Sequence, residues 1–592
     1  MPTTREHYID SDPQVFWATF ILPRLTVIEG VSPRDNIDAV VHARQLLDDE
    51  LSAMHLAMCS LRTRRNALSL ISALPAEILA RIFKFYAALE PSMRYRGHRL
   101  GWIKATHVCR RWRDIALQFP GLWSDICIRL GMEWTELMLS RSKATPVSIR
   151  RDVTEAPQRI SDLTCEHFRH TYELELVGMP ASVRKFVKAL PSQSDTLEIL
   201  TLGSVEDDTT DIEGDNSKLP ENIAGCHLPS LRRLTLKGLW VPWSAPILRG
   251  LTHLEVQLYG THIFNGARTA ATGYLRTSHE TLFFALKNAP ALEILILRNC
   301  FPSGPWKDRQ GDVLQLPRLK ALRLAGFSAA CCGLAKRLQI PASCQVQLRC
   351  SDNADIAGIF PFLTSHANNG ADLPPWVACK IVAPCSKGFR LEMWRLSDAL
   401  EATADKPDIP PSVDADLAVW FRNPERSLRP LKALCQALPL QSIGRVNVSI
   451  NVDCSSRDWI DMLGRCTEIQ EASISDDSAV LFCRALSMTT AGKPVAEMKN
   501  CVRQHLFLGK LGFLRLIDVD FRTWQHETSQ AEHLIVQWFA ERQQVKAAPE
   551  LCIELQTCAI TNEWVDNLQG VAAVEWDGYE GEQDYADEGS DA

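Results

Sequence analysis

The stretch HETSQAEH, from His526 to His533, holds the residue types of a zinc-dependent hydrolase: two imidazoles to ligate the ion and Glu527 beside the first to take a proton from bound water. The spacing does not serve that chemistry, because the second histidine follows the first by seven residues instead of four, and the sequence offers no obvious further ligand. AGKPVAEMK contains a Gly-Lys pair but neither the upstream glycine nor the Ser/Thr of a phosphate-cradling loop. No Gly-x-Ser-x-Gly turn raises a serine nucleophile, and the 19 cysteines include no Cys-x-x-Cys metal spacing. The expectation is a protein that binds rather than catalyses, with no catalytic, cofactor-binding or metal-ligating residue, no cofactor, and hence no enzyme.

Composition narrows the kind of binding. The 592 residues are 46% hydrophobic and 23% charged, an ordinary soluble balance with length for roughly four domains at about 150 residues each. No apolar run is long enough to span a bilayer, and MPTTREHYIDSDPQ lacks the basic-then-apolar layout of a secretory signal. A cytoplasmic or nuclear location without membrane contact is expected, and the cysteines read there as small buried apolar residues without structural disulfides. Eight acids from Glu575 onward, in EWDGYEGEQDYADEGSDA, account for the net charge of −7, so the remainder is nearly neutral. That is no electrostatic case for nucleic acid. The tail reads as a disordered, solubilising end.

Two periodicities organise the chain. From 37 to 68, Ile37, Val40, Leu47, Leu51, Met54, Met58, Leu61 and Leu68 recur at alternating steps of three and four, with Arg44 and Arg65 in the two remaining slots. This predicts a long amphipathic helix, packed on its own domain or paired as a coiled coil. Farther on, Leu-x-x-Leu-x-Leu recurs at Leu197/Leu200/Leu202, Leu231/Leu234/Leu236, Leu251/Leu254/Val256, Leu292/Leu295/Leu297, Leu319/Leu322/Leu324 and Leu511/Leu514/Leu516. Looser copies stand at Ile443/Val446/Val448 and Val571/Val574/Trp576. Each unit reads as helix, turn and short strand, the pattern of leucine-rich repeats at irregular spacing; the acidic insertion from Gly203 is expected to be a mobile loop. Between 346 and 430 the prolines predict an irregular segment separating two repeat blocks, although WVACKIVAP, FRLEMWRL and LAVWF are too apolar to remain in water.

The stretch LPAEILARIFKFY, from Leu74 to Tyr86, is apolar over too much of its circumference for an ordinary surface helix. At about 100° per residue from Leu74, the side chains of Phe85, Ile78, Ile82, Tyr86, Leu79 and Phe83 fill an arc from about 20° to about 180°. Packing once against a core needs only about 100°, so a second apolar contact is implied. Pro75 suits the first helical position and Glu77 the first turn. GWIKATHVCRRWRDIALQFPGLW then predicts a second helix carrying Trp102, Ala105, Val108, Cys109, Trp112 and Ile115, ended by Pro120, with Trp123 beyond.

Leu-Pro-x-Glu-Ile-Leu-x-x-Ile-Phe, then Val-Cys-Arg-x-Trp-Arg, then Leu-Trp, over about residues 72 to 124, resembles the F-box, in the form found in large fungal families. The resemblance implies a small helical bundle that docks on a Skp-family adaptor and through it on a cullin-RING ubiquitin ligase. By position it assigns adaptor contacts to Leu74, Pro75, Ile78, Leu79, Ile82, Phe83, Val108, Cys109 and Trp112. The connector AALEPSMRYRGHRLGW is longer and more basic than in the commonest F-boxes. The expected fold is α/β: an N-terminal helical F-box bundle followed by an irregular leucine-rich-repeat solenoid. Its expected parts are an N-terminal segment to 33, the long helix at 34–70, the F-box at 71–130, repeats at 131–345, the irregular segment at 346–430, further repeats at 431–576 and the acidic tail at 577–592. The function implied is a substrate receptor whose repeats hold an unknown target protein. The alternative is a non-catalytic interaction scaffold in which the F-box-like helices are only structural.

Overall fold

A computed structural model describes residues 12–91, 100–126, 128–154, 158–204, 218–226, 228–258, 278–302, 306, 313–352, 356–370, 372–383, 388–395, 414–422, 427–476, 478–498, 502–521, 531–545 and 548–580. His526, Glu527, most of the acidic insertion, the middle of the connector and the end of the tail lie outside the described residues. The chain divides into two compact units, Met1–Thr145 and Pro146–Ala592.

The first unit is helical. Helix α1 spans Pro13–Leu25, with Asp12 capping it by accepting from the backbone N–H of Gln14 at 3.1 Å. The periodic stretch forms helix α2, Ile37–Ala67, 31 residues long and capped by Asn36. An ion pair between Arg24 and Glu50 joins α1 to α2. Helix α3 spans Ala76–Leu89, so Pro75 stands at the cap itself, one residue before the first helical position expected for it. The second helix expected from 101 onward is two pieces: a 3-10 run at Gly101–His107 and helix α4 at Arg110–Gln118. Cys109 breaks them apart, since its backbone is extended (φ −157°, ψ 168°) and its Sγ accepts from the Trp112 N–H at 3.5 Å as an N-cap. Helix α5, Met132–Ser142, also belongs to this unit, so the boundary falls after Thr145 and not near residue 130.

The second unit is mixed α/β, built on one long sheet. Strands Val147–Asp152, Thr171–Gly178, Ile199–Ser204, Arg233–Lys237, His253–Gln257, Ile294–Arg298, Ala321–Gly326 and Gln345–Cys350 each pair in parallel with the next. The inward leucines stand in register: Leu174, Leu200, Leu234, Leu254, Leu295, Leu322 and Val346 form one row across seven strands. All seven are buried, and burying each contributes about 1.5–3 kcal/mol. The first leucines of the Leu-x-x-Leu-x-Leu stretches, Leu197, Leu231, Leu251, Leu292 and Leu319, are buried as well.

The proline-containing stretch does not interrupt this sheet. Trp376–Ala383, Phe389–Arg395 and Leu417–Phe421 are strands, inserted in reverse of chain order between Gln345–Cys350 and Arg445–Ile450. Phe389–Arg395 runs antiparallel to both its neighbours. Pro374 and Pro375 stand just before the strand Trp376–Ala383, where a missing N–H leaves no rung of the ladder unmade. Pro361, by contrast, lies inside the helix Ile356–Asn368. Parallel pairing then resumes through Arg445–Ile450, Glu471–Ser475, Phe513–Ile517, Cys552–Gln556 and Ala573–Trp576. On the polar side of these strands, Arg445 pairs with Glu471 at 2.8 Å and Arg515 with Glu554 at 2.7 Å.

Candidate functional site

Helix α3 divides its broad apolar arc between two environments. Phe83 (1% exposed) and Leu79 lie in the interior of the helical unit together with Ala80. The Phe83 ring packs on Trp112 of α4, with centroids 5.0 Å apart. The opposite edge of the arc faces outward: Ile78 is 42% exposed, Ile82 41% and Phe85 70%. Leu89, one turn beyond Phe85, is exposed on the same side. The α3 arc is therefore one core face plus one uncovered apolar stripe.

The residues assigned to docking separate accordingly. Ile78, Ile82, Pro75 and Val108 are exposed, while Leu74, Cys109 and Trp112 are half-buried. Leu79 and Phe83 have no surface to offer a partner, and they hold α3 against the interior of its own unit. Cys109 is engaged as the cap of α4, and Trp112 as the packing partner of Phe83. Phe85 and Leu89, which the assignment did not include, extend the uncovered stripe.

The framework behind the stripe is polar as well as apolar. Arg111 donates from Nη1 to the Ser72 carbonyl and from Nη2 to the Leu74 carbonyl, both at 2.5 Å, and so fixes the chain just before α3 begins. Arg113 donates from Nε to the Thr106 carbonyl at 3.0 Å across the break between the two helical pieces. Arginine suits the first role because its planar fork reaches two acceptors at once. The sequence places Arg110, Arg111 and Arg113 around Trp112, and nothing in their spacing indicates which one reaches back. Arg111→Ala is expected to cost the helical unit about 2 kcal/mol, with Arg111→Lys recovering only part of it, as read by the shift in thermal midpoint. Equal midpoints for all three proteins would contradict the clamp.

Trp123 closes the bundle. It is buried, donates from Nε1 to the Ala116 carbonyl at 2.7 Å, meets Trp102 edge-on at 5.0 Å, and lies under the Arg141 guanidinium at 4.3 Å. Burial there lowers the Arg141 pKa from its ordinary value.

The long connector starts and ends at one point. Trp102 donates its N–H to the Glu90 carbonyl at 2.9 Å, tying the 3-10 run at Gly101–His107 to the residue that follows α3. Gly101 makes this closure with φ at +54°, and a Cβ there would meet the carbonyl oxygens of Glu90 and Pro91 at 2.6 Å. Gly101→Ala is expected to destabilise the unit by at least about 1–2 kcal/mol, combining the left-handed backbone with a clash against backbone atoms. A thermal midpoint equal to that of the unsubstituted chain would show that the closure is dispensable.

Little elsewhere suggests reaction chemistry. Among the described residues no group of three or more His, Cys, Asp or Glu could hold a metal ion. Burial pushes the thiols of Cys300 and Cys344 up to about 12, leaving them protonated and poor nucleophiles near neutral pH. A pocket in the second unit is lined among others by Leu516, Phe521, Ile535, Phe539, Trp564 and Asn567. No helix among the described residues is long and apolar enough to cross a membrane.

The geometry of residues 72 to 124 is thus that of a small helical interaction domain: one face builds its core and one apolar face is left outward. In agreement, the F-box-like family model matches residues 71–129, so this segment is an F-box-like domain, a type associated with protein–protein interaction, usually with Skp-family adaptors. No curated protein matches the chain.

Proposed function

We propose that the chain is the substrate-receptor subunit of a cullin-RING ubiquitin ligase. Its F-box-like domain docks a Skp-family adaptor through the uncovered stripe of α3, and the second unit, read as an irregular leucine-rich-repeat solenoid, holds the target protein. The observation that carries the reading is the division of α3, with Leu79 and Phe83 inward and Ile78, Ile82 and Phe85 outward. A helix that only braced its own domain has no use for that outer stripe, whose exposure to water is unfavourable. The repeat reading is supported by the parallel strands that carry the Leu-x-Leu motifs in register and by the buried leucine that precedes each.

On this reading the chain performs no chemistry and works in the cytoplasm or nucleus without nucleic acid or membrane. It brings target and conjugating machinery together, turning a bimolecular encounter into an intramolecular one at effective concentrations up to about millimolar. Co-expression with a Skp-family adaptor tests it: the two should co-purify, and a chain carrying Ile78→Asp and Ile82→Asp should purify alone, correctly folded. Co-purification undiminished by the double substitution would favour a scaffold whose F-box-like helices are only structural.

A further inference from the structure

Helix α2 leaves its periodic face uncovered. Leu51 is 64% exposed and Leu68 87%, while Ile37, Leu47, Met54, Met58 and Leu61 are exposed along the same line; among the residues of α2 only Ala43 is buried. The steps of three and four run from Ile37 to Leu68 at the C-cap, with Arg44 and Arg65 in two of the ten slots, a spacing that fits the seam of a two-stranded coiled coil better than the wider stripe of a helix lying on a globular core. An exposed seam of this length calls for a second helix.

We propose that the occupant is α2 of a second copy, running antiparallel, with the two-fold axis passing beside Leu56. The charges flanking the seam select this arrangement. In an antiparallel pair, each first-type seam residue (the series 37, 44, 51, 58, 65) faces a second-type one (40, 47, 54, 61, 68) of the other helix. The residues just outside the seam face residues of their own type. With the axis beside Leu56, Leu51 faces Leu61 and Met58 faces Met54, each twice by symmetry. The same register sets Asp48 opposite Arg62 and Glu50 opposite Arg64, again twice each. The two seam arginines meet leucines, Arg44 against Leu68 and Arg65 against Leu47, and their alkyl stems can cover them.

Other arrangements lose these pairings. Sliding the antiparallel helices by one heptad in either direction sets Asp48 against His55 or removes it from the overlap of charged partners, and leaves no acid facing an arginine. In the parallel arrangement Arg44 faces Arg44 and Arg65 faces Arg65. This register therefore sets opposite charges beside the central apolar layers, Leu51 against Leu61 and Met54 against Met58, and leaves Ile37 and Val40 beyond the overlap. Glu50 also pairs with Arg24 of its own chain, so Asp48 and Arg62 report on the contact between copies more cleanly.

Sedimentation equilibrium of the full chain over a concentration series tests the proposal. The unsubstituted chain should show a reversible monomer–dimer equilibrium that weakens as salt is raised. Asp48→Arg and Arg62→Asp, each placing like charges opposite one another twice per dimer, should each weaken it about tenfold, and the chain carrying both should recover most of the loss. Both side chains are exposed, so the substitutions leave the fold in place, as circular dichroism would verify. Leu51→Asp combined with Leu61→Asp should give monomer throughout. A chain that stays monomeric at every concentration overturns the proposal, and so does a double charge swap as weak as either single one.

Discussion

Replacing Phe83 with alanine is expected to unfold the F-box-like domain at temperatures where the unsubstituted chain is stable. The ring is buried and packed on Trp112, so its removal opens a cavity in a small bundle at a cost of about 3–5 kcal/mol. That is a large part of the about 5–15 kcal/mol that holds an ordinary domain together. The loss should be local, because Phe83 and the sheet of the second unit belong to different compact units. Limited proteolysis should cut within residues 71–129 while the segment from Pro146 onward stays resistant. Uniform resistance, with an unchanged thermal midpoint, would contradict the placement of Phe83 in the core.

The outer face should behave oppositely. Ile78→Asp together with Ile82→Asp introduces two charges on exposed positions, where substitution ordinarily changes stability by about 0.5 kcal/mol or less. Binding to a Skp-family adaptor should nonetheless collapse. Central apolar contacts in such interfaces cost about 2 kcal/mol or more each when lost, so the pair should weaken binding on the order of 1,000-fold. The contrast between the two experiments separates residues that hold α3 in place from those that face a partner. Phe83→Ala would abolish binding by unfolding the domain, whereas the isoleucine pair would abolish it with the melting curve unmoved. A double variant that binds as tightly as the unsubstituted chain would remove α3 from the interface.

Much of this division was legible in the sequence, and its limits have physical causes. The width of the arc from Phe85 to Phe83 implied two contacts, because periodicity records how apolar each direction is. It could not say which edge faced inward, since isoleucine, leucine and phenylalanine serve a core and an interface equally well. Cys109 was read as part of a continuous helix because its role as a cap depends on backbone angles that periodicity does not encode. Arg111 and Gly101 act on chain segments distant in sequence or through a positive φ, and neither leaves a local pattern.

In the second unit, the Leu-x-x-Leu-x-Leu pattern and its looser copies mark the strands at Leu200, Leu234, Leu295, Leu322, Val446 and Val574 among others. They do not mark Glu471–Ser475 and Cys552–Gln556, where Ala472, Ile474, Ile553 and Leu555 fill the inward positions but no leucine stands before them at the spacing of the pattern. The stretch from 346 to 430 was misread for another reason. Its strands join the sheet in reverse order, and its many prolines read in sequence as the punctuation of an irregular segment.

The most direct measurement is a calorimetric titration of the purified full chain with a purified Skp-family adaptor, paired with hydrogen exchange on the complex. The expected result is saturable binding, one adaptor per chain, with new protection concentrated over residues 74–89. Absence of binding, or binding with protection confined to residues beyond Thr145, would contradict an adaptor-docking role for the F-box-like domain.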